Sequence, residues 1–318
     1  VTRLRPTGDW DGTRLAHEGF VFSADDELVE RVVPFVLEGF RRDEPVLVVA
    51  GERVRGLLAG NLGSDLGRLT VFAAAETWWR GGHGTLQAYD RDLRALRATA
   101  PSWRLAAEPT WLAREDGRVW SRYEAVANRC YDAMPYYSLC LHDARRLPAE
   151  VLAAVDRSHP LTWGGTAPAP GPAYEDPAGF LRSVQPAWTE RPADAVVGTV
   201  TAPVQGRRAL SAAVPGDRRA RLGDVVLAAH ELLVNALRVA AFAELATWTE
   251  GDTFVVEVSD GGPGLPDETL GYVPPDPATG PRGMWLAWSL ADDAAVRSGP
   301  AGTAVRLHFR RHPPGALR

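Results

Sequence analysis

His230-Glu231-Leu232-Leu233-Val234-Asn235-Ala236 sets a carboxylate and a carboxamide four residues apart inside a run of helical hydrophobic spacing. Residues four apart on a helix are stacked neighbours, so Glu231 and Asn235 share a face. Leu222, Val226, Ala229, Leu233, Leu237 and Ala240 recur at about 100° per residue and predict the core stripe. Asp224, Ala228, Glu231, Asn235 and Arg238 fall opposite. A carboxylate so placed can accept a proton from an attacking hydroxyl or water, and the neighbouring amide oxygen suits a hard cation such as Mg2+.

Two later stretches extend this pattern. In Phe254 to Asp260 the residues Phe254, Val256 and Val258 point one way, and Asp260 shares their parity. A carboxylate that ends a core-facing row must be hydrogen-bonded, and an adenine amino group is a suitable donor. Gly262 and Gly264 follow at once and let a ligand approach the backbone. Gly280-Pro281-Arg282-Gly283 then precedes a helix expected from Met284, whose exposed N–H groups suit phosphate oxygens. Taken singly, each stretch also reads as ordinary structure: a solvated helix face, an Asp-Gly turn, a loop entering a helix.

Composition narrows the chemistry. The chain has 318 residues, 45% apolar, with a net charge of −5, so two packed domains are expected. All 35 basic residues are Arg, which excludes a GxxxxGK[ST] phosphate loop and Schiff-base chemistry on lysine. No basic run points to nucleic acid, and no apolar run of about 18 residues points to a membrane span. Cys130 and Cys140 are the only cysteines and lack CxxC spacing, so they are expected to be buried free thiols of a reducing cytoplasm.

Along residues 1–168, apolar strands alternate with amphipathic helices: strands at 19–22, 45–50, 69–72, 103–107 and 137–141, helices at 25–41, 53–61, 86–99, 118–133 and 149–158. This predicts an α/β domain with a mostly parallel sheet and helices on both faces. Residues 169–195 are rich in Pro, Gly and Ala and are expected to be a linker. Residues 196–318 predict an α+β sandwich: helices at 204–213, 218–240 and 284–291, with hairpins joining 245–249 to 254–259 and 294–297 to 303–309.

On these residues, 196–312 resemble the GHKL (Bergerat) ATPase fold of gyrase, a class of heat-shock chaperones, MutL and histidine kinases. The compact form is similar to bacterial anti-sigma factor serine kinases of the RsbW type. The match runs through Glu231 and Asn235, then Asp260, Gly262 and Gly264, then Gly280 and Gly283, and closes on Gly302-Thr303. The resemblance implies ATP and Mg2+ as cofactors, with Glu231 the catalytic base and Asn235 the metal ligand. It gives Asp260 to adenine with Thr303 in support, and the glycines to the nucleotide. Val239 stands where relatives often carry a His or another polar residue. His230 is read as a packed helix histidine rather than a phospho-acceptor.

The first half resembles a MEDS (DcmR-like) sensory domain, related to the RecA/KaiC fold. The matching residues are His17-Glu18, Phe20 and Phe22; Gly39-Phe40 with Pro45-Val46-Leu47; Glu108-Pro109-Thr110-Trp111; Leu139-Cys140-Leu141-His142-Asp143; and His159-Pro160. That fold's phosphate loop would fall near Ala24-Asp25-Asp26, where acidic residues already complement the helix dipole. ATP hydrolysis is therefore not expected there. His17, Glu108 and Trp111 are candidates for a sensory ligand site, with core packing the other reading.

Together the two resemblances imply a cytoplasmic transcription regulator. It would phosphorylate Ser or Thr of a STAS-type anti-sigma antagonist, sequester a sigma factor, or both, as its first domain directs. A non-catalytic scaffold and a sensor histidine kinase-like protein are the alternatives, and a homodimer is left open.

Overall fold

The computed structural model describes residues 10–73, 82–113, 117–185, 188–275 and 282–311. The chain divides into two compact units, one mainly of residues up to Val184 and one mainly of residues from Gln185.

The first unit is α/β. Its strands are β1 (Ala16–Phe22), β2 (Val46–Ala50), β3 (Thr70–Ala73), β4 (Trp103–Ala107), β5 (Tyr136–Asp143), β6 (Leu161–Trp163) and β7 (Pro168–Pro170). They lie in the order β3-β2-β4-β5-β1-β6-β7, all parallel except the β6–β7 pair. The helices are α1 (Asp25–Arg41), α2 (Glu52–Leu62), α3 (Gly82–Arg97), α4 (Gly117–Cys130), α5 (Ala149–Ser158) and α6 (Pro177–Ser183). Every residue of β2, β4 and β5 is buried, as the continuous apolar runs require of strands covered on both faces. Leu28, Val32, Phe35 and Val36 of α1 close one face against Phe20, Phe22, Leu139 and Leu141.

β1 starts three residues earlier than the expected 19–22 and takes in His17 and Glu18. Polar residues there obscured the strand, because each is neutralised by a partner on its own face. Glu18 is buried and receives Nε of Arg31 at 2.9 Å and the Tyr137 hydroxyl at 2.6 Å. Arg31 in turn lies 4.4 Å from the centre of the Trp163 ring. His17, one residue away, points to the opposite face.

The stretch 169–184 contributes the end of β7 and α6; Phe180 of α6 and Val184 just after it pack with Ala125 and Ala154. Asp176 caps α6 by accepting from the N–H groups of Ala178 and Gly179.

The second unit is an antiparallel sheet with helices. β8 (Val196–Val200), β9 (Ala243–Glu250), β10 (Thr253–Asp260), β11 (Asp293–Gly299) and β12 (Gly302–Arg310) lie in the order β11-β12-β10-β9-β8. The helices are α7 (Pro203–Ala213), α8 (Leu222–Val239) and α9 (Gly283–Leu290). The helix expected over 218–240 is shorter, because residues 216–221 form a 3-10 turn before α8. Its buried row is Val225, Ala228, Ala229, Leu232, Leu233 and Ala236 rather than the stripe through Leu222 and Leu237. α8 packs on α7, α9 and β10 together, so its core face is turned toward the row that serves all three. Ala228, expected on the solvent side, is consequently buried.

The other face of this sheet is also covered. Arg306 pairs with Glu257 at 2.5 Å between Trp188 and Trp248, whose ring centres lie 4.1 and 4.9 Å from its guanidinium carbon. Arg191 reaches Glu244 at 2.7 Å and also pairs with Glu257, so residues 188–191 lie on this sheet.

Candidate functional site

In the second unit a cleft of about 270 Å³ opens between α8, the end of β10, the chain that follows β10, and α9. Asn235, Asp260, Gly264, Gly283 and Thr303 all line it. Their convergence follows from register. Asp260 is the last residue of β10 and pairs directly with Thr303 at the start of β12. Gly302 holds the left-handed region at φ +136°, and a Cβ there would stand 2.0 Å from the carbonyl oxygen of Asp260. The turn before Thr303 therefore requires glycine.

Asp260 is half-buried, and its Oδ1 accepts from the Gly262 N–H at 2.8 Å. Its Oδ2 has no protein hydrogen bond among the described residues. The Thr303 hydroxyl lies 3.2 Å from that of Ser298, which also accepts from the Leu265 N–H at 2.6 Å. Ser298 thereby ties the glycine turn to the strand that carries Thr303. Sequence reading missed it, although it faces Thr303 across the β11–β12 hairpin and the hairpin register could have found it.

Glu231 and Asn235 are half-buried, one turn apart on α8. Glu231 does not line the cleft itself. It stands against the start of α9, where a Cβ on Gly283 would lie 2.7 Å from Oε2 of Glu231 and 3.5 Å from Nδ2 of Asn235. Gly283 thus lets the first turn of α9 meet both polar residues of α8. Gly264, at φ +91°, sits where a Cβ would approach the Gly299 carbonyl oxygen to 2.6 Å. Gly262 is turned toward Val239 and lies off the cleft wall. Gly280 lies outside the described residues. Leu232, Leu265, Leu270, Met284 and Trp285 supply apolar walls that motif spacing alone did not mark. A carboxylate with a free oxygen, set among apolar walls and faced by a hydroxyl, can hold a flat amine-bearing heterocycle. A second carboxylate beside a helix start can take a proton next to an anion held by that helix.

In the first unit the turn between β1 and α1 is already filled. Oε2 of Glu27 accepts from the N–H groups of Ser23 at 2.7 Å and Ala24 at 3.2 Å. Asp25 pairs with Arg53 and Arg145, which also hold Asp143. The N–H groups and charge that a phosphate would use there are satisfied by side chains.

The three sensory candidates do not share one pocket. His17 and Trp111 line a largely apolar cavity of about 70 Å³ together with Tyr89, Tyr123, Glu124 and Cys140. Glu108 lies in a smaller depression beside Asp143 and Arg146, where it accepts from the Gly51 N–H at 2.8 Å. Burial lowers the pKa of His17 and His159 and raises that of the Cys140 thiol, so both rings and the thiol are neutral at pH 7.

Comparison with known proteins gives the class of each unit. Residues 201–309 match the family described as the histidine kinase-like ATPase domain. Residues 16–160 match MEDS, the methanogen/methylotroph DcmR sensory domain. The chain therefore joins a MEDS domain to a histidine kinase-like ATPase domain of the GHKL type. Among solved structures it is similar to the RsbU and RsbW domains of Rv1364c from Mycobacterium tuberculosis, at 19% identity and a TM-score of 0.28. That similarity covers 41% of this chain and 36% of the other, so the chain spans about a third of that structure's length. No curated protein matches. No helix among the described residues is long and apolar enough to cross a membrane.

Proposed function

We propose that the ATPase domain is an anti-sigma-type serine/threonine kinase governed by the MEDS domain. The observation that supports it is the meeting of Asp260, Thr303, Asn235 and Gly283 in one cleft, with Glu231 against Gly283 at its edge. Asp260 accepts the adenine amino group through Oδ2, while Oδ1 stays with Gly262. Thr303, positioned by Ser298, supports the same ring. The first N–H groups of α9 face the phosphates.

The residues fit Mg2+. Asn235 carries a neutral amide oxygen donor, and its carboxamide, whose Nδ2 faces Gly283, has room to turn that oxygen to the ion because the glycine lacks a Cβ. When bound, the ion neutralises charge on the phosphate oxygens. Glu231 accepts the proton of the attacking Ser or Thr hydroxyl. That oxygen bonds to the γ-phosphorus as the bond to the β–γ bridging oxygen breaks, and ADP leaves. The partner in this reading is a STAS-type antagonist of an anti-sigma factor, with sequestration of a sigma factor as the paired activity in the cytoplasm. The filled β1–α1 turn supports a regulatory rather than a hydrolytic role for the MEDS domain in this reading.

The test is incubation of the full chain with γ-labelled ATP, Mg2+ and STAS proteins of the source cell. Acid-stable label on a partner Ser or Thr supports the reading. Acid-labile label on the chain itself would make it a histidine kinase, and binding without transfer would make it a scaffold.

A further inference from the structure

The first unit gathers ligating side chains that the kinase reading does not use. In the parallel β1–β5 pair His17 is level with Ser138 and Gly19 with Cys140, so His17, Cys140 and His142 share one face of the sheet. His159, just after α5, leans over Gly19, where a Cβ would stand 2.8 Å from Cγ of its ring. His17, Cys140 and His159 are all buried, and their ligand atoms lie within 4.8 Å of one another. Nε2 of His17 is 3.3 Å from Sγ of Cys140. Two ligands of a tetrahedral zinc, one nitrogen and one sulfur, are about 3.5 Å apart from the usual bond lengths.

The outer partners decide which nitrogen of each ring is free. Asn128 donates its amide N–H groups to the carbonyls of Ala125 and Ser158. Its Oδ1 therefore accepts from Nδ1–H of His17, at 2.8 Å. Nδ1 of His159 is 2.8 Å from the Val155 carbonyl oxygen, which can only accept. Both rings thus turn an unprotonated Nε2 toward the cluster. Ligating histidines are held in this way, with the far N–H donated to an oxygen. A hydrogen-bonded core does not account for the arrangement, because Nε2 of His159 is fully buried and makes no hydrogen bond, with Oε2 of Glu124 standing off at 3.9 Å.

We propose that Nε2 of His17, Sγ of Cys140 and Nε2 of His159 bind one Zn2+ ion, leaving a fourth, exchangeable position. Imidazole and thiolate donors suit Zn2+ and disfavour Mg2+ and Ca2+, which select oxygen. Binding converts the Cys140 thiol to thiolate and releases its proton to solvent. The cavity of about 70 Å³ that touches His17, Cys140 and Glu124 gives a small ligand room beside the ion. Sequence spacing concealed the site, since its ligands come from β1, β5 and the end of α5.

The test is titration of the full chain, stripped with a chelator, first with Co2+ and then with Zn2+. One equivalent of Co2+ is expected to give the visible bands of a tetrahedral site and a near-ultraviolet thiolate charge-transfer band, both lost on adding one equivalent of Zn2+. Cys140→Ser, close in size to the native residue, should abolish the charge-transfer band, and Cys130→Ser should keep it. His159→Ala should weaken Zn2+ by roughly 100-fold or more, and Asn128→Leu, which frees the His17 ring and the Ser158 carbonyl beside His159, by about 10–100-fold. A wild-type chain that takes up neither ion at micromolar concentration overturns the proposal, whatever the variants do. A charge-transfer band that survives Cys140→Ser overturns the ligand assignment.

Discussion

Gly283 and Glu231 meet across α9 and α8 so closely that a Cβ on the glycine would stand 2.7 Å from Oε2 of the carboxylate. Glu231→Ala is expected to lower phosphotransfer by about 10²–10⁴, the usual contribution of a general base, while leaving nucleotide affinity largely intact. Gly283→Ala should lower phosphotransfer as well, because its methyl group displaces the same carboxylate. Single-turnover transfer beside calorimetric ATP binding checks both. Equal turnover in wild type and Glu231→Ala would remove the kinase reading.

Asp260→Asn keeps an oxygen for the Gly262 N–H but turns an amide N–H2 toward the place where Oδ2 would accept from adenine. Two donors then face each other, and ATP affinity is expected to fall more than about tenfold. Ligand-induced stabilisation should fall with it, since that stabilisation grows as the logarithm of ligand concentration over Kd. Thermal shift across an ATP series measures this. Thr303→Val, which loses only the hydroxyl shared with Ser298, should weaken binding less.

Asn235→Ala removes the oxygen assigned to Mg2+. ATP affinity measured with and without Mg2+ should differ in the wild-type chain and converge in the variant. A variant that keeps the full Mg2+ effect would show that the ion is held elsewhere.

Glu18→Ala strands the Arg31 guanidinium in the first unit and deprives the Tyr137 hydroxyl of its acceptor. Breaking a buried pair from one side costs about 3–5 kcal/mol, so the unfolding transition of that unit should move to markedly lower urea. Replacing both partners, as Glu18→Met with Arg31→Met, should restore much of the loss. Denaturation followed by circular dichroism decides between these outcomes.

Much of the fold was legible because its signals are local. Buried runs such as Val46–Ala50 read as strands, and the amphipathic rows of α1 and α5 read as helices. The misreadings occur where a distant partner changes what a residue can tolerate. His17 and Glu18 look unlike strand residues until Asn128, Arg31 and Tyr137 are brought to them. Trp188 and Arg191 look like linker until Arg306 and Glu257 are placed beneath them.

The sequence by itself determined the two-part α/β and α+β architecture, the absence of a lysine phosphate loop, and the order of Glu231, Asn235, Asp260 and Gly283. Spacing along the chain carries that information, because helix and strand periods repeat over a few residues. Only the tertiary structure decided which row of α8 is buried, since three neighbouring elements set that face together. It alone set Gly283 against Glu231, tied Ser298 to Thr303, and brought His17, Cys140 and His159 to one point. Such contacts join residues far apart in the chain, and they form where register and helix packing leave room for them, which no local period records.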